Sequence, residues 1–371
     1  MRRPIIHLAA GGTGGHVFPA LAVAEILQDR GFDPHLLTDR RGAALLADIA
    51  NLPVRVHVLG AASPFQRGPI RKTVALAKLA IGAVKAGWLT LCNRPKAVIG
   101  FGGYPSFAPL LVARFLAVPT MVHEQNAYLG RANKAIAAGA RMLALSWPET
   151  KNLPVDVPTS VTGMPVRTAF FAKRSSVKKD HNLVLTVLGG SQGASILGSL
   201  VPDALAMIDP ALLSQIRIYQ QARDEQMAAL KTRYKALGIR ATISAFFTDM
   251  PALLSKSDLV ICRSGASSIA ELAAIGRAAL MLPLPTAMDD HQKANALQMQ
   301  AAGGGFCLDE ATVSPAFLAT RIMQLFEAPD MLRQMADKAT GLASPRAAHD
   351  IAELAIGLID QTGSQTSGAA A

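Results

Sequence analysis

Short apolar runs alternate along the chain with longer segments in which apolar residues recur every three or four positions. In the first half the short runs predict strands at Ile5–Ala10, Pro34–Thr38, Val54–Leu59, Ala97–Phe101, Thr120–His123, Met142–Ala144 and Ser160–Thr162. The longer segments predict helices near Val17–Arg30, Arg41–Ala50, Lys72–Leu91, Ser106–Phe115 and Arg131–Ala138. Strands separated by helices indicate a parallel, doubly wound α/β sheet.

The same alternation restarts after Gly163–Arg167 and predicts a second α/β domain. Its strands are expected at Leu183–Leu188, Ile216–Tyr219, Ala241–Phe246, Leu259–Cys262, Ala279–Leu282 and Gly305–Leu308. The polar, basic segment Lys173–His181 is typical of a linker or surface loop. Two domains of ordinary size also fit the length of 371 residues.

We place the domain boundary near Pro165, so the predicted domains are residues 1–164 and 165–344. A last helix at residues 345–360 is expected to return to the first domain. Residues 361–371 are rich in Ser, Thr, Gly and Ala, a composition that predicts a disordered tail.

Each predicted domain begins with a strand, a glycine-rich turn and a helix. The turns are Gly11–His16 and Gly189–Ala194. Glycines let backbone N–H groups approach a ligand closely, and the following helix N-terminus favours negative charge. Val17 stands where a dinucleotide fingerprint would have its third glycine, which argues against that motif. Two such turns predict two domains that face one cleft.

The net charge of +11 is concentrated in the first half, where residues 1–165 hold 18 Lys and Arg against 8 Asp and Glu. This asymmetry predicts an anionic partner for the first domain.

The helix predicted at 72–91 carries a basic stripe. Arg71, just before it, lies seven positions from Lys78, which lies seven from Lys85, so the three share one face. The apolar area beside the stripe comes from Leu76, Leu79, Ile81, Val84, Trp88 and Leu89. That pattern fits either an interfacial membrane helix or an ordinary surface helix. Aromatic residues are only 5% of the chain, which disfavours nucleic acid.

Composition excludes several other classes of protein. The three cysteines, Cys92, Cys262 and Cys307, have no paired spacing, which argues against a disulfide framework and a structural zinc site. A reducing cytoplasm fits them best. No targeting segment is convincing, because the apolar run after Arg2-Arg3 is short and leads into the glycine turn.

Seven motifs occur in an order that resembles the MurG family of GT-B glycosyltransferases. They are Gly11–His16, Gly102–Pro105, His123–Asn126, Pro165–Arg167, Gly189–Ala194, Arg263–Ala266 with Glu271, and Asp289–Gln292 with Asn295. The resemblance implies two Rossmann-like domains and transfer of N-acetylglucosamine from UDP-N-acetylglucosamine to lipid I. It further implies inversion at the anomeric carbon, no cofactor, no catalytic metal, and a peripheral place on the inner leaflet of the cell membrane among cell-wall and division proteins.

His16 is our candidate for the general base, because a neutral imidazole suits removal of a proton from a sugar hydroxyl. His123 and Glu124 are rival bases, and His16 could instead only bind phosphate. The resemblance implies that Thr13 and Gly14 contact the donor diphosphate or sugar. By the same resemblance Asn126 contacts the donor sugar. Arg167 suits phosphate as a fixed positive fork.

In the second domain the donor contacts implied by the resemblance are Ser191 and Ser268 for phosphate, Glu271 for the ribose hydroxyls, Phe247 for the uracil edge and Gln292 for the sugar. Two positions depart from the family pattern. Met164 replaces an asparagine before Pro165, and Ser267 replaces an apolar residue.

Three alternatives stay open on the sequence. One is a glycolipid synthase with a diacylglycerol acceptor. Another is a nucleotide-binding oxidoreductase, which should bind NAD or FAD. The last is a membrane-associated UDP-sugar sensor without catalysis, which would bind the donor equally well with and without His16.

Overall fold

The computed structural model describes residues 3–47, 49, 51–61, 68–173, 183–190, 194–287 and 290–368. The chain divides into two compact units, Met1–Arg167 with Ser344–Ala371 and Thr168–Ala343. Each unit holds one parallel sheet with helices. The α/β class predicted from the alternation of strands and helices is therefore confirmed.

The first unit contains a seven-stranded parallel sheet in the order β3-β2-β1-β4-β5-β6-β7. Its strands are β1 (Ile5–Ala9), β2 (Asp33–Thr38), β3 (Arg55–Val58), β4 (Ala97–Gly100), β5 (Thr120–Glu124), β6 (Met142–Leu145) and β7 (Thr159–Val161). Its helices are α1 (Gly14–Asp29), α2 (Arg40–Ala44), α3 (Pro69–Asn93), α4 (Tyr104–Phe115), α5 (Arg131–Ala137) and α15 (Ala347–Gly368). The strand order reverses between β1 and β4, where ligands of doubly wound sheets bind.

Helix α15 belongs to the first unit, as the sequence predicted for the last helix. Its residues Ile351, Ala352 and Ala355 are fully buried in the same apolar core as Val23 and Leu27 of α1. The helix continues past residue 360 to Gly368, so its backbone extends into the segment expected to be disordered.

The second unit contains a six-stranded parallel sheet in the order β10-β9-β8-β11-β12-β13. Its strands are β8 (Leu183–Leu188), β9 (Ile216–Gln221), β10 (Arg240–Ser244), β11 (Leu259–Cys262), β12 (Ala278–Met281) and β13 (Gly305–Cys307). Its helices are α6 (Thr168–Ala172), α7 (Ser195–Leu205), α8 (Pro210–Leu213), α9 (Asp224–Ala236), α10 (Met250–Lys256), α11 (Ala266–Ile275), α12 (His291–Ala301), α13 (Pro315–Glu327) and α14 (Pro329–Thr340). Here the order reverses between β8 and β11, so this sheet has a switch point of its own.

Helix α3 is longer than predicted and lies open on one side. Its segment Lys72–Asn93 has a mean hydropathy of 1.5 and is the one described helix that could cross a membrane by length and composition. Ile81, Val84 and Trp88 are exposed, as the interfacial pattern requires, whereas Leu89 is 5% exposed and belongs to the core. The expectation that Leu89 adds to the apolar surface is therefore wrong. The side chain of Arg71, the first member of the basic stripe, lies outside the description.

Candidate functional site

The glycine turn of the first unit lies at the switch point between β1 and β4. Gly12 has a φ of +82°, which only glycine adopts freely. A Cβ on Gly11 would lie 2.4 Å from Cγ of Pro105, so the turn that follows β1 packs directly on the start of α4. Close packing of two loops therefore explains the glycines at this point.

Helix α1 begins without a capping side chain. Its N-cap residue, Thr13, makes no side-chain cap hydrogen bond, and the first turn, which includes Gly14, holds no acidic residue. A helix N-terminus attracts anions through its backbone N–H groups and its dipole. Thr13 and Gly14 thus lie where a phosphate would be stabilised.

His16 lies in the first turn of α1, against the two glycines that follow β4. A Cβ on Gly102 would be 3.0 Å from Nδ1 of His16, and a Cβ on Gly103 would be 3.5 Å from its Cδ2. Both glycines have positive φ, at +89° and +76°. The half-buried imidazole is therefore held at the carboxyl edge of the sheet by the motif Gly102–Pro105.

His123 is fully buried at the end of β5, which argues against it as a base. Its Nε2 lies 3.2 Å from the Gly163 carbonyl oxygen, which only accepts, so Nε2 carries the proton. Its Nδ1 then accepts from Nε2 of Gln125 at 3.2 Å. Burial lowers the pKa of His123 to about 4, which keeps the ring neutral.

Glu124 is 1% exposed and its two carboxylate oxygens already accept four hydrogen bonds. Oε1 accepts from the backbone N–H and the Nδ2 of Asn126, at 2.9 and 3.0 Å. Oε2 accepts from the Gly130 N–H at 3.0 Å and from Nδ2 of Asn133 at 2.8 Å. Burial raises the pKa of Glu124, and these bonds oppose the rise. The carboxylate thus orients Asn126, which favours positioning over proton transfer.

Arg167, which ends the first of the two segments of the first unit, packs on α1. Its guanidinium carbon lies 4.7 Å from the centroid of the Phe18 ring. Burial raises the pKa of Glu25, and the positive charge of Arg167 opposes that rise. Stacking on an aromatic ring fixes the plane of the guanidinium, as bidentate phosphate binding requires.

The glycine turn of the second unit lies at its own switch point. Gly190, with a φ of +74°, follows β8, and α7 begins at Ser195. Ser191, the phosphate contact predicted from the sequence, lies outside the described residues. The neighbouring loop Arg263–Gly265 follows β11, and Gly265 caps α11 without a side-chain hydrogen bond. Helix α11 therefore presents a second N-terminus suited to an anion.

Helix α11 holds Ser268 and Glu271 in its first two turns. Because the two residues are three apart, they share one face of the helix. Both are half-buried. The two positions predicted from the sequence as donor contacts therefore lie on the same face of α11.

Gln292 and Phe247 also lie at the carboxyl edge of the second sheet. Oε1 of Gln292 accepts from the Leu284 N–H at 3.0 Å, and its carbonyl oxygen accepts from Oγ of Ser264 at 2.8 Å. Gln292 is thus brought to the start of α11. Phe247 follows β10, which β9 and β8 separate from β11, and its ring centroid lies 6.5 Å from that of Tyr219.

One ion pair at this edge was not predicted from the sequence. Arg263, noted only as a motif residue, pairs with Glu310, which lies after β13. The two residues are 47 positions apart in the sequence, so no local sequence pattern predicts their contact. Only the strand order brings them together.

Three neighbouring histidines of the first unit lie on the adjacent strands β1, β2 and β3. Ring centroids are 5.8 Å apart for His7 and His35, and 5.0 Å apart for His35 and His57. Asn93 Nδ2 lies 3.2 Å from Nδ1 of His35. Within the described residues, no group of three or more His, Cys, Asp or Glu has an arrangement that could hold a metal ion.

Comparison with known proteins decides the family. The profile of the Glycosyltransferase family 28 N-terminal domain matches residues 6–143, and that of the C-terminal domain matches residues 184–352. The chain belongs to glycosyltransferase family 28. The resemblance inferred from the seven motifs and the predicted GT-B fold are thereby confirmed.

Relatives in family 28 match almost the whole chain. A Paramagnetospirillum magneticum protein named UDP-N-acetylglucosamine--N-acetylmuramyl-(pentapeptide) pyrophosphoryl-undecaprenol N-acetylglucosamine transferase is 42% identical over 96% of this chain and 98% of its own length. A protein of the same name from Agrobacterium fabrum is 40% identical over 95% of this chain and 94% of its own. The crystal structure of Acinetobacter baumannii MurG is 31% identical, covers 95% of this chain and 99% of its own, and superposes with a TM-score of 0.74.

Proposed function

We propose that this family 28 enzyme transfers N-acetylglucosamine from UDP-N-acetylglucosamine to the 4-hydroxyl of the muramic sugar of lipid I, forming lipid II for peptidoglycan synthesis. The strongest support is the full-length similarity to enzymes named for this transfer. The switch point of each unit adds a glycine turn at a place suited to phosphate.

The second unit holds the donor in this proposal. The diphosphate lies at the N-terminus of α11 near Ser268, and Glu271 accepts from both ribose hydroxyls. The sequence-based assignment of Ser191 to the diphosphate is kept in this proposal. The main chain at Phe247 contacts the uracil edge, and Gln292 contacts the sugar. Half-burial of Ser268 and Glu271 on one face of α11 supports this arrangement.

Replacing Glu271 with alanine is expected to raise KM for UDP-N-acetylglucosamine more than a hundredfold with kcat little changed. Two hydrogen bonds to a charged acceptor, about 1.5–3 kcal/mol each, would be lost in both the ground and the transition state. Steady-state kinetics at varied donor concentration measures the effect. Glu327→Ala, at an exposed glutamate of the same unit, is the control and should leave KM unchanged.

The first unit supplies the base and further donor contacts. His16 removes the proton from the acceptor hydroxyl as its oxygen attacks the anomeric carbon, the bond from that carbon to the UDP oxygen breaks, and UDP departs. Thr13, Gly14 and Arg167 stabilise the diphosphate, and Asn126 binds the donor sugar. Fixed positive charge of this kind replaces a divalent cation, so we propose no metal and no cofactor.

The exposed face of α3 supports attachment to the inner leaflet of the cell membrane. Besides Leu76, its large exposed apolar residues are separated by three, four or seven positions, at Ile70, Val74, Ile81, Val84, Trp88 and Leu91. This spacing places them on one side of the helix.

A basic cavity lies at the carboxyl end of α3. It has a volume of about 840 Å³, and the cations Arg3, Arg55, Arg94 and Lys96 are among the residues that line it. An apolar face beside positive charge fits an anionic lipid surface.

The double variant Ile81→Asp, Trp88→Asp is expected to weaken binding to phosphatidylglycerol vesicles more than tenfold, because two exposed apolar side chains would become charged. Vesicle co-sedimentation measures the loss, and UDP affinity should stay at the wild-type value. Val155→Asp, at a residue that is 98% exposed elsewhere in the first unit, is the matched control. Equal vesicle binding by all three proteins would exclude α3 as the attachment face.

We further propose that cell-wall and division proteins are the partners of the enzyme at this membrane.

Transfer of labelled N-acetylglucosamine to a lipid I analogue tests the activity. A diacylglycerol acceptor tests the glycolipid synthase alternative, and NAD or FAD binding tests the oxidoreductase alternative. Donor binding without turnover would instead favour the sensor.

A further inference from the structure

A largely buried ion pair spans the carboxyl edge of the second sheet. The side chain of Arg263 is 9% exposed and that of Glu310 is 22% exposed. Arg263 follows β11 and Glu310 follows β13, and β12 lies between these two strands. The guanidinium therefore reaches across the end of β12 to meet the carboxylate.

The same guanidinium also holds the chain that leaves β12. Its Nη1 donates to the Leu282 carbonyl oxygen at 2.9 Å and to the Pro283 carbonyl oxygen at 3.2 Å, as well as to Oε2 of Glu310. One side chain thus joins the loops that follow three adjacent strands.

The next residue, Ser264, is held from the opposite side. Its carbonyl oxygen accepts from Nδ2 of Asn295 at 3.2 Å, and its Oγ donates to the Gln292 carbonyl oxygen at 2.8 Å. Gly265 follows as the N-cap of α11. The backbone that starts α11 is therefore fixed by Arg263 on one side and by α12 on the other.

Glu310 is itself held by a tight turn. Oδ1 of Asp309 accepts from the Ala311 N–H at 2.9 Å, and the Asp309 carbonyl oxygen accepts from the Val313 N–H at 2.9 Å. The turn places the carboxylate opposite the guanidinium. A charge-assisted hydrogen bond in a poorly hydrated place is stronger than one to a neutral carbonyl.

We propose that Glu310 is a positioning residue for the donor site and acts through Arg263. By anchoring the guanidinium, Glu310 fixes Ser264 and Gly265, and so the backbone N–H groups at the start of α11 that receive the diphosphate. This inference rests on the proposed function, since it needs a nucleoside diphosphate at that helix. Without the carboxylate, the buried cation keeps two carbonyl acceptors among the described residues, those of Leu282 and Pro283, and the loop loses its fixed position.

The test compares Glu310→Ala and Glu310→Gln with wild type. We expect Glu310→Ala to raise both the Kd for UDP, measured by calorimetry, and KM for UDP-N-acetylglucosamine about tenfold, with kcat within about twofold. Glu310→Gln keeps an acceptor without the charge and should show a smaller rise of about threefold. Asp330→Ala, which breaks the exposed pair with Arg333 in the same unit, is the matched control.

The melting temperature of each variant separates positioning from stability alone. A lower melting temperature with wild-type UDP affinity in both Glu310 variants would overturn the inference. If Glu310→Ala does not fold, Glu310→Gln, which has nearly the same size, gives the answer. A wild-type protein that does not bind UDP would instead overturn the proposed function, so the two failures are distinct.

Discussion

The His16→Ala variant should transfer N-acetylglucosamine about a thousandfold more slowly than wild type at saturating substrate. General base catalysis contributes 10²–10⁴-fold, and alanine leaves no group to accept the proton of the acceptor hydroxyl. The Kd for UDP should remain within about twofold of wild type, because the backbone N–H groups of α1 are unchanged. Steady-state kinetics and calorimetry on the same preparation measure both quantities.

Glu124→Gln provides the contrasting variant, because it removes the charge of the rival base while keeping its shape. The glutamine oxygen can still accept from Asn126. The amide of Asn133 can turn so that its Oδ1 accepts from the new donor, whereas the Gly130 N–H loses its acceptor. We expect this variant to keep kcat within about tenfold. A thousandfold loss in Glu124→Gln together with an active His16→Ala would transfer the role of base to Glu124.

Acidification should destabilise the first unit strongly. Burial lowers the pKa of His7 to about 3 and that of His123 to about 4, against 6.5 for the ordinary imidazole. The unfolded chain therefore binds more protons than the folded one as pH falls below 6.5, and stability is lost until pH passes below the folded pKa. Each of these histidines therefore lowers the free energy of unfolding by about 2 kcal/mol between pH 7.5 and pH 5, since one unit of pKa corresponds to about 1.36 kcal/mol.

Burial raises the pKa of Glu124 and Glu25, so these carboxyls increase the free energy of unfolding as pH falls and partly offset the histidines. Comparison with a His7→Gln variant isolates the contribution of His7, because the carboxyls are the same in both proteins. Urea unfolding is followed by tryptophan fluorescence, since Trp88 and Trp147 are the only tryptophans in the sequence and both lie in the first unit. The unfolding free energy lost between pH 7.5 and 5 should be about 2 kcal/mol smaller in the variant. An equal loss in both proteins would contradict the assignment to His7.

The strand pattern could be predicted because most of the parallel strands are short apolar runs between turns. Every strand expected from the sequence is present, and the two glycine turns lie at the switch points of their sheets. Helix ends were predicted less well. The helix expected to reach Ala50 ends at Ala44, where single turns follow and Leu46 is buried in the core. Tertiary packing there overrides a sequence of good helix formers.

The site was predictable where the chain itself forms the feature and not where distant segments meet. His16 and Thr13 follow from one turn. The role of Glu124 depends on Gly130 and Asn133, which only the folded loop brings to its carboxylate. The pairing of Arg263 with Glu310 depends on the order of β11, β12 and β13. The periodicity of apolar and polar residues in the sequence predicts neither of these contacts.

The most direct measurement is the transfer of radiolabel from UDP-N-acetylglucosamine to a lipid I analogue in the presence of EDTA, with diacylglycerol as the competing acceptor. The account predicts label in the lipid I product, none in the diacylglycerol fraction, and a rate unaffected by the chelator. Intact binding of UDP-N-acetylglucosamine without any label in the lipid I product would contradict it.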